Sequence, residues 1–226
     1  MSKPKALIVV SHPDDEALFF GGLIQTKKFE WFVVCVTNGN ADGMGEKRKQ
    51  DFFRSCRVLG VKKAEVWDYP DIFDKRLDTA KITKDLSERL LGNFKNVFTH
   101  GVLGEYGHLH HQDICFAVHS AFRKNSKIFS IAYNTFPKIK IQLTEKLFNK
   151  KTKVLWEIYS SESRKLINLL PATFCEGFSQ LSFKEVSSIY GWLANGQPLN
   201  EKVIKANRWL IPHLKDGGGT LKTRLF

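Results

Sequence analysis

The chain has 226 residues, 42% of them hydrophobic and 26% charged, which excludes a disordered or fibrous protein and suits a single α/β domain with a sizeable core. No apolar run is long enough to span a bilayer, and the start "MSKPKALIVV" lacks the length and cleavage site of a signal peptide, so a cytoplasmic protein is expected. The formal net charge of +12 is uneven, +1 over residues 1–113 and +11 over 114–226, which fits an anionic partner (a phosphorylated or nucleotide-linked substrate, a membrane surface or nucleic acid) and equally a solvated basic face.

In chain order, strand-length apolar runs at 6–11, 31–37, 64–69, 96–100 and 128–134 alternate with amphipathic stretches at 16–28, 46–59, 81–92 and 108–122. Near-continuous apolar strands separated by helices predict a parallel sheet covered on both faces, a Rossmann-like three-layer α/β/α fold. Beyond Pro137, "KIKIQL" predicts a short strand, 153–170 a helix stopped by Pro171, and 201–214 another helix. The expected organisation is one domain: a core over 1–135 carrying the functional site, an extension over 136–215 completing its cleft, and a flexible tail over 216–226. Cys35, Cys56, Cys115 and Cys175 form no CxxC pair. Three of them lie in apolar surroundings and read as buried free thiols of a reducing compartment.

Two clusters stand at strand ends. "SHPDDE" (11–16) has the proline and acids of a helix start, which suit the free amides and positive dipole there. Helix capping does not require His12, three residues before Asp15. A histidine and a carboxylate across a strand-to-helix turn can face one metal ion. "GEYGHLHHQ" (104–112) is either a polar glycine-rich loop or a second half of that site; a helix starting near His108 would set His108 and His111 on one face and His110 elsewhere. Both clusters fall where open α/β sheets bind ligands, beyond the carboxyl ends of the strands. His, Asp and His with an open fourth position is a catalytic zinc arrangement. "GNADGMG" (39–45) does not fit GxGxxG, so no dinucleotide is expected. Trp156, Tyr159, Trp192 and Trp209 read as core, and His100, His119 and His213 as structural.

Over roughly the first 125 residues the chain resembles the LmbE-like, or PIG-L-type, zinc-dependent N-deacetylases. The resemblance rests on "SHPDDE" with Gly21 and Gly22, "VTNG…GEKRKQD…LGV" (36–61), "YPD" (69–71) and "GEYGHLHH". It implies that His12, Asp15 and His111 bind Zn2+ or another divalent ion such as Fe2+. Asp14 would be the general base and His108 the group that stabilises the tetrahedral intermediate and protonates the leaving amine. Tyr106 would polarise the acetamide oxygen, while Arg48 and Asp71 would hold sugar hydroxyls or a phosphate. Where the family usually has an acid, this chain has His110. That departure bears on the orientation of His108, for which Glu105 is a substitute.

The implied activity is removal of acetyl from an N-acetylated amino sugar or glycoconjugate, with no stable nucleic-acid partner. The rival enzyme reading is an amidase on another N-acyl or thiol conjugate; the rival from another class is a basic nucleic-acid-binding protein with a vestigial site. The sequence leaves the sugar, the native metal and the oligomeric state open.

Overall fold

The computed structural model describes residues 3–90, 94–133, 135–165 and 175–214. A seven-stranded sheet runs in the order β3-β2-β1-β4-β5-β7-β6. Its first five strands, β1 Lys5–Val10, β2 Glu30–Thr37, β3 Lys63–Tyr69, β4 Asn96–Thr99 and β5 Lys127–Ile131, are parallel. The last two, β6 Ile139–Gln142 and β7 Cys175–Ser179, add antiparallel strands to the same sheet. This is the predicted α/β architecture, with the later part of the chain extending the sheet.

The parallel strands read as apolar runs because helices cover both faces. Along β1, Ala6, Ile8 and Val10 pack towards α1 (Asp15–Gln25), α2 (Gly45–Leu59) and α5 (Glu145–Glu157). The alternate residues Leu7 and Val9 pack towards α3 (Thr79–Leu90) and α4 (Leu109–Phe122). At roughly 25 cal/mol per Å2 of apolar area, these two faces dominate the stability of the core. A third cluster sets Cys115 of α4 against Val186 and Ile189 of α7 (Phe183–Asn195). Cys35, Cys56 and Cys115 are buried free thiols and Cys175 is half-buried.

The expected helix over 153–170 is corrected. α5 begins at Glu145, where Thr144 accepts an N-terminal amide, and ends at Glu157, before the separate α6 (Ser160–Lys165). The expected helix over 201–214 breaks at Asn207 into α8 (Glu201–Ala206), a 3-10 turn and α9 (Ile211–Leu214). Of the aromatic residues expected in the core, Tyr159 is buried at 1% exposure, but Trp156 is 53% exposed on α5. The expected tail lies outside the described residues.

In sheet order, β1 is flanked by β2 on one side and β4 on the other. The chain crosses the sheet there, and the carboxyl ends of β1 and β4 open the crevice in which such folds bind ligands.

Candidate functional site

β1 ends at Val10, and the turn to α1 projects His12, Asp14 and Asp15. Asp14 is the N-cap of α1 with φ 127°, a strained value for a residue with a Cβ. Its amide donates to Glu16 Oε2 at 3.1 Å, and Glu16 Oε1 accepts from Ser55 on α2 at 2.5 Å and from Tyr159 at 2.7 Å. Burial outweighs these donors and lifts Glu16 to about 7. The β2–α2 loop runs against Pro13: a Cβ on Gly39, at φ +63°, would meet the proline ring at 2.9 Å.

The second cluster comes from the β4–α4 loop. Gly104 (φ +70°) lets the chain fold tightly enough that a Cβ there would lie 2.4 Å from the His108 carbonyl. His108 is the extended N-cap of α4, and its Nδ1 accepts the His110 amide at 3.2 Å. His108 and His111 do face each other as expected, with ring centroids 4.6 Å apart, but the expectation that His110 points elsewhere is corrected, since its ring converges on the same centre. His110 turns inward and is 2% exposed.

The two clusters meet. His12 Nδ1 lies 3.3 Å from His111 Nε2 and 3.5 Å from Asp15 Oδ2, while His111 Nε2 lies 3.5 Å from Asp15 Oδ1. Tetrahedral ligands at zinc distances stand about 3.3–3.6 Å apart; the two ring nitrogens meet that spacing, and Asp15 meets it with a different oxygen towards each ring, so the three residues can face one divalent ion. These side chains are tied down by further bonds. Asp15 Oδ2 accepts the His12 amide at 2.8 Å, and His111 Nδ1 bonds to Glu105, the carboxylate support usual for a ligating imidazole. Burial alone would pull His12 down, but Asp15 and Asp71 outweigh it and hold the imidazole up to about 9. The same two carboxylates favour a cation in that proton's place.

Three groups bring one donor atom from each residue together among the described residues: His12, His108 and His111; Asp15, His100 and His111; and His12, Asp71 and His110, the first two each holding two of the three expected ligands. His100 is an unsuitable ligand there because its Nε2 already accepts the Ser11 amide at 2.9 Å. His100, a single histidine at the end of an apolar strand, was expected to be structural and instead stands beside the site. It is buried, stacks on His111 at 3.8 Å between ring centroids, and reaches Glu105 Oε2 with Nδ1 at 3.2 Å. Glu105 therefore serves His111 and His100 in place of His108, which it was expected to orient, and its Oε1 accepts the Gly101 amide at 2.6 Å.

The other expected residues surround this centre. Arg48 Nη2 reaches Asp14 Oδ2 at 3.3 Å and the Pro13 carbonyl at 3.2 Å. Burial and neighbouring Asp15 push the Asp14 carboxyl well above its usual range, with Arg48 pulling the other way. Burial and the rings of His111, His12 and His110 hold His108 well below the usual imidazole range. The Tyr106 ring stands 5.8 Å from that of His108 and is 37% exposed, at the mouth. Asp71 lies behind His12, with Oδ1 3.5 Å from His12 Nε2 and 3.4 Å from His110 Nδ1.

The family profile PIG-L, described as GlcNAc-PI de-N-acetylase, matches residues 7–122, just over half of the chain. The N-acetylglucosaminyl-phosphatidylinositol de-N-acetylase of Bos taurus is 34% identical over 116 residues, 47% of this chain and 46% of that protein. The chain spans about half the length, or less, of the curated relatives it matches. Among solved structures, the N,N'-diacetylchitobiose deacetylase of Pyrococcus horikoshii is similar with a TM-score of 0.57 and 21% identity, covering 80% of this chain and 84% of that one. The 4-carboxy-2-hydroxymuconate hydratase GalB of Pseudomonas putida is similar with a TM-score of 0.54 and 16% identity, covering 79% and 96%. One fold thus carries a deacetylase and a hydratase, so the reaction has to be argued from the site.

Proposed function

We propose, starting from the fact that this chain belongs to the PIG-L family of GlcNAc-PI de-N-acetylases, that it is a metal-dependent N-deacetylase. Its substrate would be an N-acetylated amino sugar or glycoconjugate, hydrolysed to acetate and a free amine. The observation that carries this reading is the approach of His12 Nδ1 and His111 Nε2 to 3.3 Å, with Asp15 3.5 Å from the first through Oδ2 and 3.5 Å from the second through Oδ1. His12, Asp15 and His111 would hold the ion. Two imidazoles and a carboxylate suit zinc and also Fe2+. When bound, such an ion supplies Lewis acidity, polarising the acyl oxygen and making water a strong nucleophile near neutral pH.

Asp14 is placed for the base. It follows His12 by two residues, is buried, and has a raised carboxyl pKa, which brings it towards the operating pH of a general base. Arg48 fixes its orientation and offers a cation beside the cleft. His108 accepts at Nδ1 from its own turn, so the neutral ring carries its hydrogen on Nε2 and can donate to a developing oxyanion. Tyr106 supplies a second donor from the mouth. For Asp71 the surroundings support a role on His12 more than on a sugar, since its Oδ1 lies against two imidazoles.

Among the described residues, no helix is long and apolar enough to cross a membrane. The test is elemental analysis of purified protein with a screen for acetate release. Substrates would be N-acetylglucosamine presented free, nucleotide-linked and phosphatidylinositol-linked, beside N-acyl and thiol conjugates. Stoichiometric metal with acetate from an amino sugar is the expected result; metal-free protein that releases none overturns the proposal.

A further inference from the structure

The ring of His110 is turned to His12 and away from the role in which an acid at this position would orient His108. Its Nε2 lies 2.8 Å from the Lys75 carbonyl, an oxygen that can only accept, so Nε2 carries the ring hydrogen. Nδ1 of the neutral ring is then an acceptor, and it stands 3.1 Å from His12 Nε2. The hydrogen between the two rings must sit on His12. In the neutral ring that a metal ion would bind, that leaves His12 Nδ1 as the unprotonated nitrogen, and Nδ1 is the atom that faces His111 and Asp15.

We propose that His110 is a positioning residue that fixes the tautomer and rotation of His12, so that position 110 sets metal affinity. The inference rests on the metal-hydrolase reading above and adds a residue to it.

The carbonyl that anchors the chain is itself held. Asp74 has φ 58°, which turns the backbone just before Lys75. Just after it, the Arg76 guanidinium bonds to Asp113 Oδ1 at 2.5 Å and the Leu77 amide to Asp113 Oδ2 at 2.8 Å. Asp113 and His110 are three apart on α4, so one helix registers both the imidazole and the loop that supplies its acceptor. Asp71 Oδ1, 3.5 Å from His12 Nε2, is a second acceptor for the same hydrogen. An imidazole whose far nitrogen is hydrogen-bonded through a fixed partner is the usual support of a metal ligand, and its loss weakens binding about 10–100-fold.

The same three atoms, His12 Nε2, His110 Nδ1 and Asp71 Oδ1, lie 3.1–3.5 Å apart and could themselves surround an ion. That arrangement would require His12 to give up both ring hydrogens and bridge two ions. The geometry is already met by one hydrogen bond.

The experiment uses the full chain, with zinc affinity measured by competition against a chromogenic chelator and the visible spectrum of the Co2+ form recorded. Compared with wild type are His110→Leu, which removes both ring nitrogens, and His110→Asn, whose side-chain oxygen can stand in for Nδ1. His110→Ala replaces the leucine variant should that one not fold, and melting of the metal-free proteins reports folding separately. The expected result is an about 10–100-fold weaker zinc affinity and an altered cobalt spectrum for His110→Leu, with most of both restored in His110→Asn. Equal affinities in all three proteins overturn the role of His110 and leave the hydrolase reading standing. Two ions per wild-type chain, falling to one in the variants, overturn it in favour of a second metal centre. A wild-type protein that binds no metal overturns both readings together.

Discussion

Glu16 reaches back two residues to accept the amide of Asp14 at 3.1 Å, and Asp14 holds its strained φ of 127° across that bond. The catalytic geometry proposed for Asp14 is therefore set by a neighbour that need not touch substrate. Glu16→Gln resembles the protonated acid and keeps an oxygen for the Asp14 amide, while the Ser55 and Tyr159 hydroxyls can rotate to accept. It should cost no more than about 1 kcal/mol. Glu16→Ala strands a buried amide and two hydroxyls beside a small cavity, and should cost about 2–4 kcal/mol with a loss of turnover. Denaturant unfolding and kcat of both variants check this; equal stability would show that Glu16 does not hold the turn.

Asp14 and Asp15 should fail differently. Asp15→Asn removes an anionic donor from the proposed ligand set, so bound metal and activity should fall together. Asp14→Asn leaves His12, Asp15 and His111 in place, so metal should remain while kcat drops about 10²–10⁴-fold, the usual worth of a positioned base. Metal content alongside kcat decides. Loss of metal from Asp14→Asn with retention in Asp15→Asn would reverse the assignment.

A pH dependence of stability follows from His119, outside the proposed ligand set. Its Nε2 lies 2.9 Å from Ser130 Oγ, its Nδ1 is buried without a partner, and burial pulls it down to about 4. Between about 6.5 and 4 the unfolded chain takes up a proton that the folded chain refuses, so stability falls as the pH falls through that window. The full effect of the shift is about 3 kcal/mol. Replacing His119 with Gln should flatten that acid limb by about this amount in urea unfolding measured from pH 7 to 4. Parallel limbs for the two proteins would exclude His119 as its source.

Gly22 should tolerate no side chain. A Cβ there would lie 2.2 Å from Leu143 Cδ2 and 3.0 Å from Glu176 Oε1. Gly22→Ala should destabilise by about 1–3 kcal/mol through overpacking, despite the better helix propensity of alanine. A rise in melting temperature would mean that the neighbours yield freely.

The sequence exposed most of this in some regions and little in others. The first five strands were legible because both faces of the parallel sheet are buried, which leaves uninterrupted apolar runs such as "ALIVV". β7 was not, because "CEGFS" is five residues long with a glycine and a glutamate inside. α7 was overlooked although Ser182 and Glu185 form a capping box at its start and Gly196 closes it in the left-handed region. Of the site, the ligand-type residues stood out by their clustering. His100 did not, because a lone histidine at the end of an apolar strand looks like any core histidine. The target of His110 was also hidden, since its acceptor is a backbone carbonyl and leaves no mark in residue types.

Glu176 accepts the Gly22 and Leu23 amides, each at 2.6 Å, and Lys151 Nζ at 2.7 Å, all out of water. The helix that begins with Asp15 thus has two mid-helix donors satisfied by a strand more than 150 positions later. Residues 7–122, the part matched by the family, lack that carboxylate. An isolated fragment ending there would carry every proposed ligand yet lose the buried carboxylate that two amides of its first helix donate to, and leave that helix with an uncovered flank. Recognisable ancestry and the smallest piece able to stand alone are different lengths in this protein.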